Sequence, residues 1–459
     1  MTTMKADQCA IQATTSMDRQ PLIACRSLTN SSKQKQSDDV KGGKVSIVDK
    51  LHRYIKSPTT FPSGWEYLPS HLLAKVFSYL NFWDRARAST LCSHWNEVFH
   101  MPELWRHFDF EVTQETTSYL KSTPKGLIRQ VMKQHKEHLR FVSISVDSHP
   151  KSAEIACDIL SQLVNCSIKT LELMSTAKPT FMINKDKFVS ALTVVIVNSQ
   201  SISSLALSDT PVDDPSLEVL ATQHQDSLTL LNMESCPNAS SRGITFVADQ
   251  CHQLHQLTID YSHLSDELLS SLCSEEHVTL KYLRINITTE EGETQERLHH
   301  ISQKSWNALA RHSPDISLVM NFYVLNDSDY EHFFTFEMPV THVYFGRSVS
   351  REVLMRLGTH CPSLKELVIC ANGCEPLDKE LLEIAKHCKE LQSLGLGECQ
   401  VHCSAIVKFA EICGKRLSQL FIREEVLLED EQFSIDEMRD TVSQALGRQW
   451  YPEIMPFWD

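Results

Sequence analysis

CPSLKELVI at residues 361–369 and CKELQSLGL at residues 388–396 are copies of one pattern, a cysteine followed by apolar residues three, six and eight positions on. CHQLHQLTI at 251–259 is a third copy, and Cys413, Leu417, Leu420 and Ile422 make a fourth with one residue inserted. The last two apolar positions of each copy stand two apart, as one face of a short strand requires. Upstream the spacing turns helical: Val353, Leu354, Leu357 and Cys361 in one copy, Leu381, Leu382, Ala385 and Cys388 in the next. Each unit is therefore a strand plus a helix, too small to bury its own apolar face. Stacking such units predicts an α/β leucine-rich-repeat solenoid, curved, with a parallel inner sheet and outer helices.

Working outward, the same phase places strands at Val142, Leu171, Leu205, Leu231, Leu257, Leu283, Leu318, Val343, Leu367, Leu394 and Leu420. Steps of 24 to 29 residues dominate, within the leucine-rich-repeat range. Longer steps precede Leu205 and Leu318, and they predict surface loops at Lys178–Lys187 and Thr288–Glu296, the second followed by a helix around Trp306 and Leu309. The apolar run Ala191–Val197 fits a buried strand. Ahead of the array, Leu127, Ile128, Val131, Met132 and Leu139 predict a helix joining the repeats to what comes before.

What comes before is LPSHLLAKVFSYL at 68–80, where Leu72, Leu73, Val76, Phe77 and Leu80 recur at helical spacing behind Pro69. A second helix is expected from an Asp84 N-cap, with Ala88, Leu91, Cys92, Trp95 and Phe99 on one face. Pro102 then opens a short third segment with Leu104 and Trp105. About forty residues cannot bury this much apolar surface alone, so a partner is expected to cover the remainder. The alternative is a helical hairpin belonging to the core.

The Leu68-Pro69 opening, the VFSYL run, Asp84, the Cys92 to Trp95 pair and the closing Leu104-Trp105 resemble an F-box. Members of that family dock this module on the Skp adaptor of a cullin-RING ubiquitin ligase. The resemblance implies an adaptor face of Leu68, Pro69, Leu72, Val76, Phe77, Leu80, Leu91 and Trp95.

Of 44 Lys/Arg and 58 Asp/Glu, residues 1–60 hold ten against five, which leaves 34 against 53 in the body. So acidic a body disfavours phosphate-backbone binding and favours a protein partner over nucleic acid. Residues 1–43, rich in Ser, Thr, Gln and Lys, are expected to be a disordered tail. Within it KQKQSDDVKGGK reads as a solvated linker rather than a nuclear localisation signal, its lysines being interrupted by acids. No run is apolar enough to span a membrane, and no basic start with an apolar core marks a signal peptide. Fifteen cysteines, an odd number, then predict reduced thiols in the cytosol or nucleus.

Cys370-x3-Cys374 and Cys399-x3-Cys403 could suggest metal ligation. Most cysteines, however, recur at the phase where helix returns to strand, which small buried hydrophobes explain better. The same objection meets a cysteine nucleophile at Cys92, Cys388 or Cys413. Phosphate-binding glycine loops, a nucleophile elbow, a kinase signature and H-E-x-x-H do not occur in the sequence. No catalytic residue, metal or cofactor is predicted.

A helix from Ser434 to Leu446 should end at Gly447, after which Pro452 and Pro456 forbid another. Trp450 and Tyr451 are expected to cap the last repeat, leaving an extended tail tipped by Phe457 and Trp458 for a partner's pocket.

Taken with the strings ACDILSQLVNCS at 156–167, TPVDDPSL at 210–217, VADQCH at 247–252, YFGRSVS at 344–350 and the MP-x-W ending, the chain is similar to the F-box/leucine-rich-repeat proteins that target cryptochromes, the circadian repressors. The resemblance implies a non-catalytic substrate receptor whose repeat domain embraces the cryptochrome while Trp458, supported by Met455, Pro456 and Phe457, enters its flavin pocket. Flavin would then be a competitor, not a cofactor. Where that family ends on the tryptophan, this chain adds Asp459, so two carboxylates stand beside the indole. The expected organisation is a basic extension at 1–60, an F-box at 61–110, a helical linker at 111–140, the repeat domain at 141–446 and the tail at 447–459. A scaffold that shields its partner without promoting degradation is the alternative.

Overall fold

The computed structural model describes residues 68–114, 122–175, 181–289, 299–324, 330–347 and 349–453, without the side chains of 182, 183 and 371–374. The basic extension, the end of the tail, the Cys374 side chain, and positions 178–180 and 290–296 of the two predicted surface loops lie outside these residues. The chain divides into two compact units with the boundary between Leu104 and Trp105.

The first unit holds helices Ser70–Ser78, Phe82–Ala88 and Ser93–Phe99, followed by a 3-10 turn at Pro102–Trp105. The helix expected from Asp84 to Phe99 is two helices. Asn81 is the N-cap of the first, its Oδ1 accepting from Asp84 N at 2.9 Å, and Asp84 lies in the first turn. The break falls where the Ser89 and Thr90 hydroxyls donate to the carbonyls of Ala86 and Arg87, in competition with the helical pattern. Cys92, expected on an apolar helix face, instead caps the next helix, its sulfur accepting from Trp95 N at 3.4 Å.

The second unit is a parallel sheet in strict chain order: β1 His107–Val112, β2 Phe141–Val146, β3 Thr170–Ser175, β4 Ser204–Ser208, β5 Leu230–Glu234, β6 Gln256–Asp260, β7 Tyr282–Thr288, β8 Ser317–Tyr323, β9 His342–Phe345, β10 Glu366–Pro376, β11 Ser393–His402 and β12 Gln419–Ile422. A two-residue β13, Leu427–Leu428, pairs with β11. Helices connect most of the strands and pack neighbour to neighbour along one face. Strands repeat every ~4.8 Å whereas packed helices need about 8–10 Å, so the stack must bend with the sheet inside. Val142, Leu171, Leu205, Leu231, Leu257, Leu283 and Leu318 lie in register across seven strands, each at most 1% exposed.

Side-chain caps mark the start of several helices. Ser240, Ser265, Ser302 and Ser350 each accept from the amide three residues on. Carboxylates tie successive caps together: Asp214 accepts from Ser240 Oγ at 2.6 Å, and Asp266 from Ser302 Oγ at 3.0 Å. These bonds join neighbouring repeats at the helix ends, away from the apolar core.

Four expectations need correction. The segment at 111–140 is not a linker ahead of the array: it holds the end of β1, which pairs in register with β2, and Val112 and Val131 are buried. Phe108, Phe110 and Val112 simply lack the cysteine and leucines that make later copies recognisable. Ala191–Val197 lies in the helix Lys185–Asn198, where Phe188, Ala191, Leu192, Val195 and Ile196 are buried at helical spacing. A seven-residue apolar run cannot by itself distinguish the two structures. Phe181, expected in a surface loop, is fully buried against Phe188 at 4.8 Å. Finally, Val343 pairs with Met320 rather than Leu318, a shift of two residues that keeps the buried face in phase. Among the described residues no helix lies between β8 and β9. Phe333, Phe334 and Tyr330 fill its place, packing on Phe322 with ring centroids 5.0 to 5.6 Å apart.

Candidate functional site

In the first unit, the F-box resemblance implied an adaptor face of eight residues, and the structure divides them. Leu72, Val76 and Leu91 are 47, 39 and 65% exposed, and Pro69 is exposed as well. Phe77 is fully buried with its ring edge-on to Trp95 at 5.5 Å, so it holds the helices together and cannot face a partner. Leu68, Leu80 and Trp95 are intermediate, and Leu68 contributes its carbonyl to His94 Nε2 at 3.0 Å. Periodicity missed Tyr79 and Trp83, 77 and 49% exposed. Tyr79 continues the Leu72 and Val76 stripe at the next helical step, a signal the sequence carried. Soluble proteins bury such a set of large apolar side chains unless something else covers it.

In the second unit, the face of the sheet opposite the helices is open, and the residues between the buried leucines point onto it. One register row crosses the sheet through Asp109, Glu172, Asn232, Arg284, His342 and Glu366. Its neighbour carries Asn286, Asn321 and Tyr344. Arg284 Nε donates to Asn286 Oδ1 at 3.2 Å, and Asn321, turned with its oxygen toward the guanidinium, accepts from the same Nε at 2.7 Å. Tyr344 Oη donates to Glu366 Oε1 at 3.0 Å. Burial pushes the Glu366 carboxyl up, against the opposing effect of that hydrogen bond. The His342 imidazole is pushed down to about 4 by burial, with Lys365 adding to the effect. This polar and aromatic cluster on β7–β10 escaped the sequence reading. It was legible only once the strand phase was fixed, because each member occupies a position between two buried residues.

The array ends in a built cap. The helix Ile435–Leu446 opens with a reciprocal Ser434–Glu437 capping box and closes on Gly447 at φ 69°. Trp450, 3% exposed, donates its indole N–H to Leu420 O at 2.7 Å, and Glu453 N donates to Ile422 O at 3.0 Å. Trp450 thus caps the last repeat, while Tyr451 is 52% exposed. Met455, Pro456, Phe457 and Trp458 lie beyond the described residues.

The cysteines behave as small core residues. Burial pushes the thiols of Cys236, Cys251, Cys388 and Cys399 up to about 12, far from the thiolate a nucleophile or metal ligand needs. Among the described residues, no three His, Cys, Asp or Glu side chains are grouped to hold a metal ion, and no helix is long and apolar enough to cross a membrane.

Residues 65–111 match the F-box-like family. F-box/LRR-repeat protein 21 of Mus musculus is 56% identical over 395 residues, covering 86% of this chain and 91% of the mouse protein. The Bos taurus and Ovis aries proteins of the same name are each 53% identical over the same shares. The chain is an F-box/leucine-rich-repeat protein. Among solved structures it is similar to a chain of the yeast Rad7–Elc1 complex, at 15% identity and a TM-score of 0.41, covering 86% of this chain and 97% of that one. The F-box/LRR chain is a substrate-recognition subunit of SCF-type ubiquitin ligases, with a Skp adaptor and cullin as its ligase partners. Its family role is that of a substrate adaptor.

Proposed function

We propose that this F-box/LRR protein recruits cryptochromes for ubiquitination, through the open face of the sheet and the C-terminal tail, and so acts in circadian regulation in the cytoplasm and nucleus. Its adaptor-facing set is Pro69, Leu72, Val76 and Leu91 with Tyr79. Holding adaptor and substrate at once turns a bimolecular encounter between substrate lysines and charged ubiquitin into a local one. The observation that carries this reading is the end of the array: Trp450 and Glu453 pin the chain to β12, one residue ahead of the segment that holds the aromatic MP-x-W sequence. An indole inserted there would bury about 150–250 Å². The Asp459 side-chain carboxylate must then meet a basic group or stay in water, because burying it unpaired is costly.

The test is to purify the chain with a Skp adaptor and measure cryptochrome binding with and without flavin, for the intact chain and for Trp458→Ala. The reading expects tight binding that both flavin and the substitution weaken. Adaptor binding without cryptochrome binding would refute it.

A further inference from the structure

We infer that Arg284 is a docking point for a carboxylate of the bound partner, a deepening that rests on the proposed use of the open face. Among the described residues, Arg284 is the only Lys or Arg in a strand of the sheet. It is half-buried, and among the described residues no carboxylate oxygen lies within ion-pair distance of its guanidinium. Its hydrogen-bond partners are neutral amides, Asn286 and Asn321. In its own register row the adjacent residues are Thr258 and Val319, followed by Asn232 and His342, the latter neutral at physiological pH because burial holds its pKa at about 4. The row's carboxylates, Glu366 and Glu172, stand three and four strands away, roughly 14 and 19 Å at ~4.8 Å per strand, and beyond the ~8 Å screening length. Glu366 is moreover already engaged by Tyr344.

Asp260, opposite Asn286 on the adjacent strand, accepts from Ser235 N at 2.8 Å. A half-desolvated guanidinium with no carboxylate in direct contact is an uncommon arrangement, since its fork of donors matches a carboxylate in two-point contact. Here the fork is held in place by the two asparagines, so little ordering entropy remains to be lost when an acid arrives. Tyr282 and Tyr344 flank it in the neighbouring rows, and tyrosine with arginine is the composition of binding hot spots. The rest of the face is acidic, through Asp109, Glu111, Glu172 and Glu366. The complementary partner surface is therefore an Asp or Glu side chain set among basic groups.

The experiment uses the full chain with its Skp adaptor and a cryptochrome as the probe, comparing wild type, Arg284→Gln and Arg284→Glu, with a thermal melt of each. Arg284→Gln should weaken binding about tenfold and Arg284→Glu further, with both melting as the wild type does. One Asp or Glu to Arg substitution on the cryptochrome should restore binding to Arg284→Glu. Unchanged affinity in Arg284→Gln overturns the inference even where the wild type binds well. If the wild type does not bind at all, the proposed partner falls and this inference falls with it.

Discussion

Leu72 and Phe77 lie five residues apart on one short helix and do opposite work. Phe77 is fully buried against Trp95, and Leu72 is nearly half exposed. Phe77→Ala should cost about 3–5 kcal/mol, enough to unfold a unit this small, with loss of adaptor binding as a secondary effect. Leu72→Asp should leave the melt within about 0.5 kcal/mol of wild type and still abolish co-purification of a Skp adaptor. Circular dichroism melts and adaptor pull-downs on the two variants separate these roles. The F-box resemblance put both residues in one candidate set. Neighbouring positions on a helix differ by 100°, and only the packing of the helix against Ser93–Phe99 decides which of them lies at the seam.

At the scale of the element, the terminal helix shows local sequence and local structure in full agreement. Ser434, Glu437 and Gly447 specify its start and stop, and all three do so in the structure. Ser434→Ala should cost about 1 kcal/mol. Gly447→Val should cost more, at least 1–2 kcal/mol, because a β-branched residue resists φ 69° and its Cβ would meet Lys415 Cε at 3.0 Å. Denaturant midpoints of the two variants check the order. Gly397 in β11 has a different reason for being glycine. A Cβ there would stand 2.5 Å from the Cys370 carbonyl of β10, so Gly397→Ala must push these strands apart.

At the scale of the molecule, stability is sum and propagation along the stack, and its pH response is set by histidines inside it. His224, His263, His277 and His342 all have their pKa lowered by burial, His342 to about 4. The unfolded chain, with histidines near 6.5, binds protons that the folded chain refuses, so stability falls as pH drops from about 6.5 toward 4. His342 alone should contribute on the order of 2–3 kcal/mol of that loss. Comparing denaturant unfolding of wild type and His342→Gln at pH 7 and pH 4.5 isolates it, because the half-buried Glu111 and Glu366, raised by desolvation, are present in both. The wild type should lose more stability than the variant over this interval.

The solenoid itself was legible in the sequence, because a period of 24 to 29 residues with a two-residue strand phase admits few other ways to bury its leucines. The F-box was equally legible from its spacing, and the terminal cap from Ser434, Gly447 and Trp450. Tertiary structure alone decided the rest. It recruited 107–112 as the first strand, made a helix of Ala191–Val197, slid β8 against β9 by two residues and assembled Arg284, Asn321, Tyr344 and Glu366 on one face. The physical reason is common to these cases. A repeat pattern records which residues are buried together, whereas register between strands, and the surface that register creates, depends on partners distant in the chain.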